Sequence, residues 1–345
     1  MWDVENETPY THAHAWDRDG NGAECWVVVV KGTFDILPDG STRAAPKQLP
    51  VCEVPEYHSA PGQSSLRLDT DLVRVKPTTD ILLLGQAHAP KGRPCEHVDV
   101  SLRTSSFHKT LRVHGNREWR RGALGWAPGP AQPFERMPLV YERACGGSVA
   151  GPEAGWLDGD PHNPVGVGHL CRAGRPVGDL APNIEYPDTA ARSAADGAPA
   201  GFGPIAPHWE SRRRWAGRYD ETWERRRKPL LPEDFDERFF LCAPADQRPP
   251  AHWVGGEELE LTNMTPGGLL RVRLPRVVLG FETLFEGDEP VLHRQVLHTV
   301  IVEADAARLS LVWQTALSCH AKVLKLERTV VTEKRQPLGE RAPGR

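Results

Sequence analysis

The chain lacks long apolar runs, and it lacks the marks of an export signal. Its start, MWDVENETPYTHAHAWD, has no basic beginning and no apolar core. No stretch reaches the roughly 20 consecutive apolar residues that a membrane-spanning helix requires. The sequence therefore predicts a protein with no membrane span that stays in the cytoplasm.

Closely spaced cysteines are also missing. The chain has seven cysteines, an odd number, and no two of them form a CxxC pair. Zinc and redox motifs place two cysteines close together, whereas small secreted proteins join even sets of cysteines in disulfides. We therefore expect reduced thiols in a cytosolic protein.

Complete cofactor and metal motifs are absent as well. There is no phosphate-binding glycine loop of the Walker or GxGxxG type. His12 and His14 could share a zinc ion, but their spacing marks no third ligand. Residues 17–22, DRDGNG, copy the first half of an EF-hand calcium loop, yet Val28 occupies the position that needs a bidentate carboxylate. We expect a plain turn there and a protein that needs neither metal nor cofactor.

The chain is rich in turn formers and in short alternating segments. It has 32 glycines and 32 prolines, spread along its length, and a formal charge of −4. Residues with β-branched or alternating patterns are typical of strands between turns. We therefore predict a mainly β fold of antiparallel sheets, sandwich- or barrel-like, with a few short helices around residues 208–228. The predicted strands are 25–37, 80–87, 98–104, 107–114, 257–262, 269–274, 277–285, 291–303, 308–315 and 320–331.

Two of these patterns also predict how the strands are arranged. The run 25–37, CWVVVVKGTFDIL, begins as a continuous apolar segment, which is typical of a strand buried on both faces at the centre of a sheet. Residues 291–316 read as a hairpin with its turn at 305–307.

The domain organisation has two readings. Residues 1–332 form either one β-rich domain or two lobes, 1–187 and 201–332, joined by a flexible connection at 188–200. That connection, DTAARSAADGAPA, has little hydrophobic periodicity. Residues 333–345 form a polar tail.

The densest stretch of aromatic residues, arginines and prolines is 201–247, GFGPIAPHWESRRRWAGRYDETWERRRKPLLPEDFDERFFLCAPADQ. Residues 208–216 have the composition of a short helix, and Gly217 is suited to a left-handed stop. Asp220 is placed to cap a second helix, and Pro229 ends it. We predict two short helices followed by an extended run.

Three aromatic residues in this stretch, Trp215, Tyr219 and Trp223, lie at steps of four. A helix that continued through Gly217 would align them on one face. One interpretation is that they bury against a sheet as part of the core. The alternative is that they contact a partner protein.

Charged and aromatic neighbours extend this partner hypothesis to Arg213, Asp234 and Phe235. The arginine-rich runs 212–214 and 225–228 raise the question of nucleic acid. Acidic residues are interleaved with them, so their field largely cancels. We therefore expect no nucleic-acid partner.

Several motifs in this order resemble a known family. They are TDILLLGQAHAP (79–90), MPLVYERACGG (137–147), NPVGVGH (163–169), the segment 201–247 and GGEELELTNMTPGG (255–268). Together they are similar to domain-of-unknown-function family 2169, found in proteins encoded beside bacterial type VI secretion effectors, and the resemblance covers roughly residues 10–330. It implies an adaptor or chaperone that loads an effector and its PAAR-like tip domain onto the VgrG-type spike protein. It assigns no catalytic residues.

Two other functions stay open at this point. A hydrolase could assemble its site from distant residues such as Glu142, His169 and Asp179, because a fold alone does not define a function. A structural component of the secretion apparatus is the third hypothesis. Such a component would be retained in assembled particles, whereas an adaptor would be released.

Overall fold

The computed structural model describes residues 2–123, 125–150, 157–170, 174–176, 178–188 and 199–334. Within them strands dominate and helices are short, which confirms the expected mainly β fold. The strands, in chain order, are β1 (Asp3–Asn6), β2 (Thr11–Arg18), β3 (Glu24–Ile36), β4 (Thr42–Ala44), β5 (Glu56–Tyr57), β6 (Leu66–Leu68), β7 (Asp80–Leu84), β8 (Gln86–His88), β9 (His97–Arg103), β10 (His108–His114), β11 (Trp119–Gly122), β12 (Gly125–Pro128), β13 (Arg136–Pro138), β14 (Cys145–Gly146), β15 (Ser148–Ala150), β16 (Leu157–Gly159), β17 (Val167–Gly168), β18 (Ile184–Glu185), β19 (Glu258–Thr262), β20 (Leu269–Arg273), β21 (Leu279–Phe285), β22 (Val291–Arg294), β23 (Val296–Glu303), β24 (Arg308–Ser318) and β25 (Leu326–Glu333).

Helical structure is limited to single turns and two short helices in these residues. The α-helices are α1 (Glu210–Arg213) and α2 (Glu221–Arg226). The 3₁₀ turns span Pro90–Gly92, Tyr141–Arg143, Glu237–Phe240, Ala245–Gln247, Ala304–Ala306 and His320–Lys325. Both α-helices lie in the segment for which helices were predicted.

The largest sheet has the order β2-β3-β24-β23-β7, with β4 pairing beside one end of β3. Its neighbours are antiparallel except β23 and β7, which are parallel. The run Trp26–Val30 in β3 is buried on both faces, since strands flank β3 and other layers cover the sheet. The predicted central strand is therefore confirmed. So is the hairpin of β23 and β24, whose turn contains Asp305.

A second sheet has the order β18-β10-β9-β19-β20 and is antiparallel throughout. Strands β9 and β10 pair in register, with Val98 opposite Val113 and Val100 opposite Leu111. The alternation along them places every second residue in the core, as predicted. The third sheet has the order β1-β25-β21-β22. In the described parts of the chain no sheet closes into a barrel.

The three sheets share one hydrophobic core. Trp26 and Trp313 enter it from the first sheet, Leu111 from the second and Phe281 from the third. The indole Nε1 of Trp26 is satisfied inside this core, because it donates to Thr329 Oγ1 at 2.9 Å. Residues from both ends of the sequence therefore stabilise a common interior.

The prediction of one strand over 291–303 is wrong. The structure divides it into β22 and β23, which belong to different sheets. Gln295 lies between them, and its amide bonds the backbone at the start of β21. Its Oε1 accepts from Leu279 N at 2.7 Å and its Nε2 donates to Val277 O at 2.8 Å. Alternation alone cannot reveal such a change of sheet, because β22 and β23 both keep an extended backbone.

We expect Gln295→Ala to lower the free energy of unfolding by about 1–3 kcal/mol, because a backbone donor and acceptor lose their partners. Gln63→Ala is the matched control. Gln63 is exposed, so its replacement should stay within about 0.5 kcal/mol of the wild type. Urea denaturation of the two variants measures the difference. Equal stabilities would show that Gln295 does not hold the two sheets in this arrangement.

Some expectations lie outside the described residues or stay untested. Most of the predicted connection, 189–198, and the tail from 335 onward are outside them, as is Cys171. The choice between one domain and two lobes stays a prediction. Cys25, Cys52 and Cys242 are buried thiols. Among the helices described, none is long and apolar enough to cross a membrane.

Candidate functional site

The segment 201–247 is fixed at both ends and projects in its middle. Residues 200–206 and 241–244 are buried, and so are Trp209 and Arg212. Residues 213–240, which we call the excursion, are half-buried or exposed apart from Pro232. The segment therefore consists of two buried anchors and a surface element held between them.

The first anchor is aromatic. The Trp209 ring lies 5.3 Å from the Tyr141 ring in an edge-to-face arrangement. Tyr141 Oη donates to Gly203 O at 2.8 Å, so the buried hydroxyl has a partner. A Cβ on Gly201 would lie 2.2 Å from a carbon of the Tyr141 ring. Only glycine allows the backbone to pass this closely, which explains the Gly at the start of the segment.

The second anchor is a buried ion pair beneath the chain. Asp80, at the start of β7, accepts from Lys76 Nζ at 2.7 Å, from Cys242 N at 2.9 Å and from Ala243 N at 3.0 Å. Lys76 Nζ also donates to Thr299 Oγ1 at 2.9 Å. The carboxylate thus ties the end of the segment to the largest sheet.

The environment of this pair favours its charged form. Burial alone raises the pKa of Asp80, but the Lys76 ammonium and the backbone donors outweigh it and the pKa is lowered. Burial likewise opposes the charge of Lys76, yet Asp80 raises the pKa of Lys76. Burial and the Asp80 charge raise the pKa of the Cys242 thiol, which is therefore protonated and unreactive at neutral pH.

Arg212 connects the buried start of the segment to the end of the excursion. Its side chain is only 3% exposed. Nη1 donates to Asp69 Oδ2 and to Ile205 O, both at 2.7 Å, and Nε donates to Phe239 O at 3.0 Å. Arg212, the first arginine of the run 212–214, therefore stabilises the fold. It links the chain just before the excursion to the end of the excursion.

The excursion carries six aromatic residues, and none of them is fully buried: Trp215, Tyr219, Trp223, Phe235, Phe239 and Phe240. The interpretation of Trp215, Tyr219 and Trp223 as core is wrong. Helix α1 ends at Arg213 and α2 begins at Glu221, with Gly217 between them at a left-handed φ of 75°, so the steps of four do not produce one face. Tyr219 is 55% exposed. The left-handed conformation predicted for Gly217 is confirmed, but the helix predicted over 208–216 is shorter and already ends at Arg213.

Local contacts hold these rings in place without burying them. Tyr219 meets Trp223 edge-to-face at 4.8 Å. Asp220 caps α2 as predicted, because its Oδ1 accepts from Trp223 N at 3.0 Å. Trp223 Nε1 donates to Leu230 O at 2.8 Å. The indole is thus fixed at the surface by its own polar atom.

The other predicted partner residues occupy neighbouring positions. The Arg238 guanidinium lies 3.5 Å from the centre of the Trp215 ring. Phe235 packs against Phe239 and Phe240, with ring centres 5.7 and 5.5 Å away. Arg213 is exposed and pairs with Glu210 at 2.7 Å.

A surface groove of about 420 Å³ opens beside α2. It is lined by Trp223 and Pro232, by three basic residues, Arg218, Arg226 and Arg227, and by three acidic residues, Asp220, Glu233 and Asp234. Asp234 accepts from Arg218 N and Nε at 3.0 Å, and these hydrogen bonds lower the pKa of Asp234. Equal numbers of opposite charges produce no field that would attract a polyanion. The groove is suited to mixed aromatic and polar contacts.

The family model described as "Uncharacterized protein conserved in bacteria (DUF2169)" matches residues 21–314, which is more than half of the chain. The chain belongs to this family. No curated protein and no solved structure matches this DUF2169 protein.

The hydrolase hypothesis named three residues that the DUF2169 structure does not join. Both carboxylate oxygens of Glu142 accept from Ser65, from its N and its Oγ, each at 2.7 Å. Asp179 uses its backbone oxygen to accept from Trp119 N at 2.8 Å. Within the described ranges no hydrogen bond or ion pair links the side chains of Glu142, His169 and Asp179.

The two candidate metal motifs have other partners. His12 Nδ1 lies 3.1 Å from Asn6 Nδ2. Asp19 Oδ1 accepts from Asn21 N at 2.8 Å and from Ala23 N at 2.9 Å, and Gly22 N donates to Asp19 O at 3.0 Å, so residues 19–22 form a turn after β2. No group of three or more His, Cys, Asp or Glu side chains that could hold a metal occurs among the residues described.

Sequence reasoning missed the buried charges. Lys109 lies in β10 on the same core-facing side of the strand as Leu111. Its Nζ pairs with Asp246 Oδ1 at 2.8 Å. Its ammonium lies 5.3 Å from the centre of the Phe202 ring. A lysine at an inward position of an alternating strand was a usable signal, because such a charge needs a buried partner. The partner itself, 137 residues away, could not be identified from spacing.

Proposed function

We propose that this DUF2169 protein is a non-catalytic adaptor that holds a protein partner stoichiometrically on the excursion, residues 213–240. The observation that carries the proposal is the exposure of its aromatic residues on a fixed base. Tyr219 remains 55% exposed while it packs against Trp223, and buried anchors hold the chain on both sides. Single exposed rings are common on protein surfaces, but a cluster of them in one element often marks an interaction site.

The composition of the excursion supports a protein partner over other ligands. Tyrosine, tryptophan and arginine are the residues that most often carry binding energy in protein interfaces. Trp215 with Arg238 and Tyr219 with Trp223 provide such anchors, already positioned by their own contacts. Preorganised side chains lose less conformational entropy on binding than free ones. The balanced charge of the groove is also more suited to a mixed protein surface than to nucleic acid.

The partner that we propose is a type VI secretion effector encoded nearby, with its PAAR-like tip domain. The adaptor would present them in the cytoplasm to the VgrG-type spike protein before export. This assignment rests on the resemblance of motifs such as residues 79–90 and 201–247 to the family. A structural component of the apparatus remains the second candidate, and release of the protein after assembly separates the two.

We expect Tyr219→Ala to weaken binding of the neighbouring effector by about 2 kcal/mol or more, roughly 30-fold, as loss of an interface anchor does. The melting temperature should stay close to that of the wild type, since Tyr219 is mostly exposed. Co-expression, pull-down and calorimetric titration with the effector measure the affinity. Trp2→Ala is the control, because Trp2 is a 42% exposed aromatic outside the excursion.

Two results would contradict the proposal. If Tyr219→Ala and Trp2→Ala bind the effector as tightly as the wild type, the excursion is not the binding surface. If the wild type fails to retain the effector but turns over a substrate, the hydrolase hypothesis replaces the adaptor.

A further inference from the structure

A second groove differs in composition from the aromatic excursion. It is lined by side chains with buried nitrogen atoms that have no hydrogen-bond partner among the described residues. It has a volume of about 400 Å³ and lies between β22, the start of β23 and the end of β24. Arg74, His293 and His298 line it. Arg74 Nε, His293 Nε2 and His298 Nδ1 are all buried without a hydrogen-bond partner among the described residues.

Such a convergence is unusual in a folded protein. Most buried polar side-chain atoms have a partner, and each exception calls for an explanation. His298 is only 3% exposed, and it lines the groove. Two imidazole nitrogen atoms without a hydrogen-bond partner, beside an Arg74 Nε that lies 3.9 Å from Asp17 Oδ2, indicate that the groove receives an external polar group. In the tautomers that protonate these two ring nitrogens, that group is an acceptor.

The groove has donors but no carboxylate of its own. Among the described residues that line it, none is Asp or Glu. Arg294, at the rim, is exposed, and its side chain makes no hydrogen bond or ion pair within the described chain. The Lys76 charge is already paired with Asp80, and Arg74 Nη2 donates to Glu237 at 3.0 Å. Among the described residues that line the groove, Arg294 is therefore the one Lys or Arg without a carboxylate within ion-pair distance.

We propose that this groove, formed by Arg74, His293, Arg294 and His298, is a binding site for a carboxylate group. A carboxylate offers two oxygen acceptors that can receive N–H donors from Arg and His together. Burial lowers the pKa of both His293 and His298, with Lys76 and His252 adding to the effect on His298. With neutral imidazoles and one uncompensated arginine, the site matches a monoanion better than a doubly charged phosphate.

The carboxylate could come from a free organic acid or from an acidic side chain of another protein. Exposed Val291 and Leu292 flank the groove and would contact a peptide segment. The inference does not rest on the adaptor function, because none of the residues that carry it belongs to the excursion. The two proposals can therefore fail separately.

The test uses nuclear magnetic resonance of the full chain with ¹⁵N-labelled histidine rings. Propionate represents the free acid, and a capped five-residue peptide with one central glutamate represents a protein source. We expect saturable shifts of the His293 and His298 ring nitrogens with one or both probes. Binding of the peptide as well as propionate assigns a protein-borne carboxylate, and binding of propionate alone assigns a free acid.

Variants and competing probes make the outcome decisive. Arg294→Gln should weaken binding by about tenfold, as expected for loss of one charge-assisted contact. Arg136→Gln, which removes an exposed arginine outside the groove, should leave it unchanged. His298→Leu tests the buried donor, and Arg294→Gln covers the case in which that variant does not fold. Two further probes are the same peptide with glutamine in place of its glutamate, and inorganic phosphate. The proposal would be overturned by absence of shifts or by equal affinity of Arg294→Gln and the wild type. It would also be overturned by binding of the glutamine peptide or by phosphate binding as tight as propionate.

Discussion

Replacing Asp80 by alanine is expected to lower the free energy of unfolding by about 3–5 kcal/mol, enough to abolish much of the soluble yield. The carboxylate is fully buried, and its loss leaves the Lys76 ammonium without a countercharge. The same change removes the acceptor of Cys242 N and Ala243 N. Chemical denaturation of the purified variant measures the effect.

Two comparisons separate the charge from the backbone contacts. Lys76→Met should cost less than Asp80→Ala, because Asp80 then keeps its two backbone donors and can take up a proton. Glu221→Ala, which breaks an exposed pair with Arg225, should change stability by no more than about 0.5 kcal/mol. If Asp80→Ala is as mild as Glu221→Ala, the anchor does not have the importance that its burial indicates.

The pH dependence of stability provides an independent check of the same pair. The folded pKa of Asp80 is lowered, so its contribution is fully present above the ordinary aspartate value of about 3.9 and is lost as pH falls below it. The wild type should therefore lose stability between neutral pH and strong acid more steeply than Asp80→Asn. Parallel curves would contradict the assigned direction.

Local patterns predicted much of the fold. The apolar run in β3, the alternation in β9 and β10, the left-handed Gly217 and the Asp220 cap all depend on neighbours in sequence. The division at Gln295 was missed because its cause is a pair of hydrogen bonds to residues 277–279, which only the tertiary structure brings near.

The candidate site shows the same limit more sharply. The sequence places Trp215, Tyr219 and Trp223 at helical spacing and marks Gly217 as a stop, but it does not show that the three rings stay at the surface instead of burying against a sheet. The contacts of the two anchors were even harder to predict from the sequence. Arg212 finds Asp69 across 143 residues, and nothing in the RRR run distinguishes it from the exposed arginines beside it.

The second large loss of stability is expected at Trp209, near the buried start of the segment. Trp209→Ala is expected to cost about 3–5 kcal/mol of stability, because it leaves a cavity where the indole packs against Tyr141. Trp209→Phe should cost far less. It keeps most of the ring contact and removes an indole N–H that has no partner in the described structure. Thermal and urea melts of the two variants measure the difference.

The same variants connect stability with binding. Since Trp209 anchors the excursion, Trp209→Ala should lower both the melting temperature and effector capture, whereas Tyr219→Ala should lower capture alone. Trp209→Phe should restore both properties together, because it restores the base on which the excursion is held. If Trp209→Ala melts at a lower temperature yet captures effector with wild-type affinity under folded conditions, partner binding does not depend on the excursion's anchorage, and the surface that holds the effector lies elsewhere on the molecule.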